Sequence, residues 1–274
     1  MRSRKEKTMT DIRETFGLNA IPFTRELTSR WGCEIYDEIL ADLVSVVENR
    51  FSAALLGPAG TGKTALLRAL KDQLPQARYR VHYVKVTSLS KRDLCRELAA
   101  AMGLEPAGTY PNLVRKLQKK VEDTAFTEGL RPVLLVDEGH DMRPEVLAIM
   151  RIITNFEMDS KLVLSVILAG QPSLLSMLGR DDLAAVRQRI THCATLRLLS
   201  RTESKSYVEH RMTSVGSRSL PFDEPALDAI YEISRGNLRA IDTLARKALE
   251  IAAKRGTPVV DQTLVTAARA LLPS

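Results

Sequence analysis

Residues 52–64 read Ser-Ala-Ala-Leu-Leu-Gly57-Pro58-Ala59-Gly60-Thr61-Gly62-Lys63-Thr64, and this stretch decides the fold. It opens as a short apolar run and turns through three glycines. Residues 63–74 then carry the spacing of an amphipathic helix, closed by Pro75. A strand that hands glycines to a helix start makes a phosphate cradle. The glycines let successive backbone N–H groups fold around phosphate oxygens, and the helix N-terminus adds its positive end. Gly57 to Thr64 is a full G-x-x-x-x-G-K-[ST] match, and Ala65 follows it. In that pattern Lys63 reaches the β- and γ-phosphates and Thr64 offers a hydroxyl to Mg²⁺. ATP with Mg²⁺ is the expected ligand.

The flanking sequence alternates in the same way. Helical stripes at 35–47, 91–102 and 112–121 are interleaved with apolar runs at 81–86, 133–136 and 162–168. A helix is expected from 144 to about 156, then two short helices and a last strand near 195–198. Strands apolar on both faces and separated by helices imply a parallel sheet covered on both sides, with right-handed crossovers. After Leu199 only helical patterns appear, at 201–215, 223–234, 238–254 and 261–271. The expected organisation is a basic tail and irregular arm over 1–30, an α/β core over 31–199 and a helical domain over 200–274. Residues 1–10 read as a disordered tail.

The second chemical signal is Val133-Leu-Leu-Val-Asp137-Glu138. A buried strand carries Asp137 to its carboxyl end, where it can hold Mg²⁺. The adjacent Glu138 points differently and is placed to polarise an attacking water, so hydrolysis rather than binding alone is expected. Asp137-Glu138-Gly139-His140 superficially matches a helicase box, but the sequence holds one phosphate loop where a helicase needs tandem domains. His82 and His140 read as structural or surface groups. His192 beside Cys193 has no second pair at metal-ligand spacing.

Composition closes other doors. The chain has 274 residues, 45% of them hydrophobic and 27% charged, within the globular range. No apolar run approaches the roughly 18 residues a membrane span needs. The basic start Met-Arg-Ser-Arg-Lys-Glu-Lys leads into no apolar segment and is not expected to be a signal peptide. Three scattered cysteines imply neither a disulfide framework nor a zinc site. A cytoplasmic location without a membrane partner is expected. Between Arg78 and Lys120 lie ten basic residues against three acidic ones, which equals the protein's whole excess of +7. Such clustering suits a polyanion, nucleic acid before membrane, because neutralised phosphates release counterions.

Together the phosphate loop, the Asp-Glu strand, a further strand ending in Ala169-Gly170-Gln171 and the helical C-terminal part resemble the AAA+ ATPases. That resemblance implies a five-stranded parallel core with a helical lid. It makes Gln171 the candidate sensor of the γ-phosphate, although Asn, Ser or Thr is more usual there. Arg239 in Arg235-Gly-Asn-Leu-Arg239 becomes the candidate second sensor, and Arg189 or Arg187 the finger given to a neighbouring subunit. Phe16-Gly-Leu, Pro22-Phe23, Leu168-Ala-Gly-Gln-Pro-Ser-Leu174 and Arg187-Gln-Arg-Ile190 further resemble the subgroup of ExeA-type secretion ATPases and the TnsC, TniB and Mu B transposition ATPases. There Pro22 and Phe23 would help enclose adenine. The absence of a membrane span and periplasmic part favours the transposition branch, which implies rings or filaments on duplex DNA that recruit a transposase. The alternatives are a secretion or envelope-assembly ATPase and a replication or helicase-loading factor. The resemblance places DNA contacts after the second strand, in the basic stretch. Lys91 and Arg92 open a helix there, Thr109 lies in a loop, and Arg115/Lys119 with Lys116/Lys120 form i, i+4 pairs opposite the apolar stripe. Few aromatics interleave them, so phosphate tracking of a duplex is expected rather than base stacking.

Overall fold

The computed structural model describes residues 12–24, 31–156 and 161–272. These form two compact units. One is Glu34–Leu196; the other joins the described residues up to Cys33 with those from Arg197 onward. The tail expected over 1–10 lies outside the described residues.

The first unit is built on five parallel strands: β1 (Ser52–Leu56), β2 (Tyr79–Lys85), β3 (Arg131–Asp137), β4 (Ser165–Gly170) and β5 (Ile190–Thr195). Their order is β2-β3-β4-β1-β5. Every pairing is parallel, with Leu134 opposite Val166 and Ala54 opposite Leu168. β1 and β4 are buried along their whole length because helices cover both faces. Successive residues face opposite ways, and β3 shows it. Leu134 and Val136 enter a core with Leu94, Leu98, Leu113 and Leu117. Leu135 enters a separate core with Leu40, Leu43, Leu66 and Leu70. The helices supplying these stripes are Glu34–Glu48, Lys63–Gln73, Lys91–Ala101 and Tyr110–Glu122.

Two expectations for this unit need correction. The last strand is Ile190–Thr195, not 195–198. It is a sheet edge with alternating exposure, so its sequence, Ile-Thr-His-Cys-Ala-Thr, lacks the apolar run expected of a buried strand. The single helix expected over 144–156 is two short ones, Pro144–Leu147 and Ile149–Ile153.

The second unit contains helices Arg201–Thr213, Glu224–Ser234, Leu238–Arg255 and Gln262–Ala270. Each begins at a side-chain cap. Ser200 and Glu203 form a reciprocal capping box, and Asp223, Asn237 and Asp261 accept from the backbone of their first turns. The N-terminal arm is less irregular than expected, since residues 12–16 are helical. Asn19 N–H donates to the Val215 carbonyl, and the Phe23 ring meets Phe222 edge-on at 6.3 Å. Buried Arg211 donates to the Thr24 carbonyl and lies over both the Phe23 and Tyr207 rings. Among the described residues no helix is long and apolar enough to cross a membrane.

Candidate functional site

The phosphate loop joins β1 to the helix Lys63–Gln73. Gly60 and Gly62 have φ of +80° and +88°, a left-handed backbone that glycine adopts without the penalty a Cβ brings. Gly57 is glycine for a different reason. A Cβ there would lie 2.8 Å from Thr61 Oγ1 and 2.9 Å from the Leu196 carbonyl. Thr61 Oγ1 donates to the Pro58 carbonyl at 2.9 Å, and Lys63 Nζ donates to the Gly57 and Pro58 carbonyls at 2.8 and 2.9 Å. The ammonium therefore already sits inside the cradle. Gly62 at the helix start has no side chain with which to cap the first N–H groups, a geometry that accepts an anion.

At the end of β3, buried Asp137 collects three donors. Thr64 Oγ1 donates to Oδ2 at 2.6 Å, Tyr83 O–H to the same oxygen at 3.1 Å, and Glu138 N–H to Oδ1 at 2.9 Å. Burial, then the Asp137 carboxylate, pushes the Tyr83 hydroxyl up to about 12, so it remains a donor at neutral pH. A hydroxyl and a carboxylate 2.6 Å apart beside a phosphate cradle are hard oxygen donors of the kind Mg²⁺ takes. Thr64 and Asp137 thus fit the metal, and Gly57–Ala65 with Lys63 fits the nucleotide phosphates.

Glu138 follows in a left-handed conformation, φ 58° and ψ 33°. The turn Gly139–Asp141 packs on the end of β4. A Cβ on Gly170 would meet Leu174 Cδ2 at 2.8 Å and the His140 backbone nitrogen at 3.1 Å. Gln171, the next residue, places Nε2 2.5 Å from His140 Nε2. His140 Nδ1 in turn lies 3.6 Å from Glu138 Oε2. His140, expected to be a structural or surface group, stands between these two candidate catalytic side chains. His82 is structural, with Nδ1 3.0 Å from the Ala101 carbonyl and its pKa lowered by burial.

The sequence reading also passed over two tyrosines. Tyr36 O–H donates to the Thr61 carbonyl at 2.6 Å, bracing the phosphate loop from the helix Glu34–Glu48. Tyr83 reaches Asp137 because parallel register sets Lys85 opposite Asp137, two residues further along β2. The inward-outward alternation of β2 was the available signal for Tyr83; Tyr36 had none.

The remaining candidates are dispersed. Arg187 ends the short helix Ala184–Arg187 and donates to the Gly179 carbonyl; Arg189 lies beyond that helix and donates to the Ala185 carbonyl at 2.7 Å. The two arginines do not share a helix. In the second unit, Arg239 is the exposed second residue of Leu238–Arg255, and Pro22 and Phe23 are buried. In the basic stretch Lys91, Arg92, Thr109, Arg115, Lys116 and Lys119 are exposed. Lys116 donates to the Ala107 carbonyl. Lys120 pairs with Glu128 at 2.9 Å, and Arg80 with the same carboxylate at 3.2 Å, so Glu128 just outside the window offsets part of the excess charge.

A β2-β3-β4-β1-β5 sheet with a phosphate loop after β1, an Asp-Glu pair after β3 and a polar residue after β4 is the arrangement that the resemblance to AAA+ ATPases led one to expect. Residues 47–178 match the family model described as an AAA domain. Among curated proteins the chain is 34% identical over 248 residues to general secretion pathway protein A of Aeromonas hydrophila, covering 88% of this chain and 45% of that one. It is 26% identical over 191 residues to the replication factor C small subunit of Aeropyrum pernix, covering 69% and 49%. The chain spans about half the length of the curated relatives it matches. Among solved structures, that of the Aeropyrum pernix ORC1 protein in complex with DNA superposes with a TM-score of 0.69 at 18% identity, over 90% of this chain and 68% of that one. At that identity the likeness speaks for the fold alone.

Proposed function

We propose that this chain is the ATP-hydrolysing core of a secretion- or envelope-assembly ATPase, acting as an oligomer on a protein partner. The observation that carries the reading is 34% identity to a secretion pathway protein over 88% of the chain, a span that takes in residues of both units. This moves the reading from the transposition branch to its first alternative.

The chemistry follows from the site. Lys63 and the loop N–H groups bind the phosphates, while Thr64 and Asp137 hold Mg²⁺. Bound Mg²⁺ supplies positive charge that offsets charge developing on the phosphoryl oxygens. Glu138 takes the proton of a water whose oxygen bonds the γ-phosphorus as the bond to the bridging oxygen breaks, giving ADP and phosphate. Gln171 orients the γ-phosphate. Arg189 or Arg187 completes a neighbouring subunit's site, and the resemblance to AAA+ ATPases makes Arg239 the candidate second sensor and Pro22 and Phe23 candidate adenine neighbours. Lys63→Ala should weaken nucleotide binding, whereas Glu138→Gln should leave binding intact and slow hydrolysis by about 10²-fold or more. Normal turnover by Glu138→Gln would overturn the role of Glu138.

A second reading is favoured by the exposed basic residues Lys91, Arg92, Arg115, Lys116 and Lys119, with Lys120 and Thr109 beside them. In it the chain assembles on duplex DNA with ATP and recruits a transposase. Nucleotide-dependent duplex binding that falls log-linearly with salt, and flattens when these lysines and arginines are neutralised, would select this reading over the secretion type.

A further inference from the structure

We propose that His140 is a positioning residue that couples Glu138 to Gln171, so that contact with the γ-phosphate sets the geometry of the base. The inference rests on the reading of Glu138 as that base and names a residue that controls it. Three observations carry it. The His140 side chain is only 11% exposed, at the foot of the site rather than on the surface. Its Nε2 lies 2.5 Å from Gln171 Nε2, so one of the two nitrogens donates and the other accepts. Its Nδ1 is buried without a hydrogen-bond partner, although Glu138 Oε2 is 3.6 Å away.

The chemistry of the ring assigns the directions. The side-chain amide nitrogen of Gln171 is a donor, so Nε2 of a neutral imidazole accepts and the ring hydrogen resides on Nδ1. That hydrogen faces the Glu138 carboxylate. At 3.6 Å the pair is too long for a hydrogen bond, and a closure of about 0.7 Å makes one. Asp141 Oδ1, 3.6 Å from Nε2, flanks the ring on the Gln171 side. A buried donor left unpaired is costly, so the ring is biased towards the carboxylate. Once Nδ1–H holds Oε2, the other carboxylate oxygen is fixed in direction and left free to take the proton of the attacking water. Gln171 grips the opposite edge of the same ring. A displacement of Gln171 towards or away from a γ-phosphate therefore swings Nδ1 relative to Glu138. The left-handed backbone at Glu138 and the close seat of the Gly139–Asp141 turn against Gly170 leave the ring little other freedom.

The test is steady-state ATPase kinetics with parallel nucleotide titrations on the full chain. His140→Ala is expected to lower kcat about 10- to 100-fold, the scale on which misplacing a reacting group acts, while KM and the nucleotide Kd stay within about twofold. The double variant His140→Ala/Gln171→Ala is expected to lose no more than Gln171→Ala alone, because whatever His140 does for Glu138 passes through Gln171. His140→Asn keeps a donor where Nδ1 stands but cannot reach Gln171. It should recover part of kcat and be less sensitive to Gln171→Ala than the wild type is. Normal kcat in His140→Ala, with Glu138→Gln inactive, overturns this proposal and leaves the hydrolytic reading standing. Normal activity in Glu138→Gln overturns the hydrolytic reading itself. If His140→Ala does not fold, His140→Asn carries the same kcat-against-KM comparison. A parallel loss of Kd and kcat there, or additive losses with Gln171→Ala, would reduce His140 to a structural role.

Discussion

The left-handed backbone at Glu138 yields a stability comparison with an unusual sign. A non-glycine residue at φ 58°, ψ 33° costs about 1–2 kcal/mol relative to right-handed conformations. Glu138→Ala keeps that cost, and Glu138→Gly removes it. Against this, glycine loosens the unfolded chain by about 0.4–1 kcal/mol. Both variants lose the Glu138 side chain alike, and both keep the hydrogen bonds from Glu138 N–H to Asp137 Oδ1 and from Asp141 N–H to the Glu138 carbonyl. The difference between them is therefore the backbone term, about 1 kcal/mol in favour of glycine. Elsewhere the sign reverses: Ala100→Gly, at an exposed site in the helix Lys91–Ala101, should destabilise by about 1 kcal/mol. In urea, with a slope of about 2 kcal/mol per molar, Glu138→Gly should unfold at a midpoint about 0.5 M above Glu138→Ala. Native-state hydrogen exchange of the β3 amides should show the same ranking. Both proteins should be inactive. If Glu138→Ala equals or exceeds Glu138→Gly in stability, the left-handed backbone at this residue carries no strain and the reasoning fails.

Tyr36→Phe removes the brace on the Thr61 carbonyl, worth about 0.5–1.5 kcal/mol, and should weaken ATP binding by up to about tenfold in a fluorescent-nucleotide titration with kcat retained. Gly236→Ala places a Cβ 2.0 Å from the Leu199 carbonyl at φ +76° and should melt the helical unit well below the wild type in a circular-dichroism scan. Glu203 is held down to about 2 from its ordinary 4.5, first by hydrogen bonding to Arg197 and then by the Ser200 backbone. Its depressed value gives stability that is complete above about pH 4.5 and lost as the pH falls towards 2. The thermal advantage of the wild type over Arg197→Met should accordingly narrow between pH 5 and pH 2.

The sequence made the central sheet legible because β1, β3 and β4 are buried on both faces and read as unbroken apolar runs. β5 was misplaced because an edge strand need not be apolar, and Leu196–Leu199 beside it offered a better-looking run. The phosphate loop and the Asp137-Glu138 pair were legible because their spacing is local along the chain. Tyr36, Tyr83 and His140 were not. Tyr36 touches the loop across 25 residues of sequence and Tyr83 reaches Asp137 across 54. His140 has significance only once β4 brings Gln171 to it across 31. Contacts of that kind are set by strand register and packing, which no short motif encodes.

The helical unit is assembled from both ends of the chain, and this bears on how the protein emerges from a ribosome. Arg211 donates to the Thr24 carbonyl across 187 positions. At about 5–20 residues per second, roughly 10–40 s separate the appearance of these two residues. The Glu34–Leu196 sheet can close within that interval, whereas the arm, with apolar Leu18 and Phe23, has no native surface to bury against until the helices after Arg197 are made. A nascent chain of this protein thus holds an apolar segment unburied while the Glu34–Leu196 core is already complete.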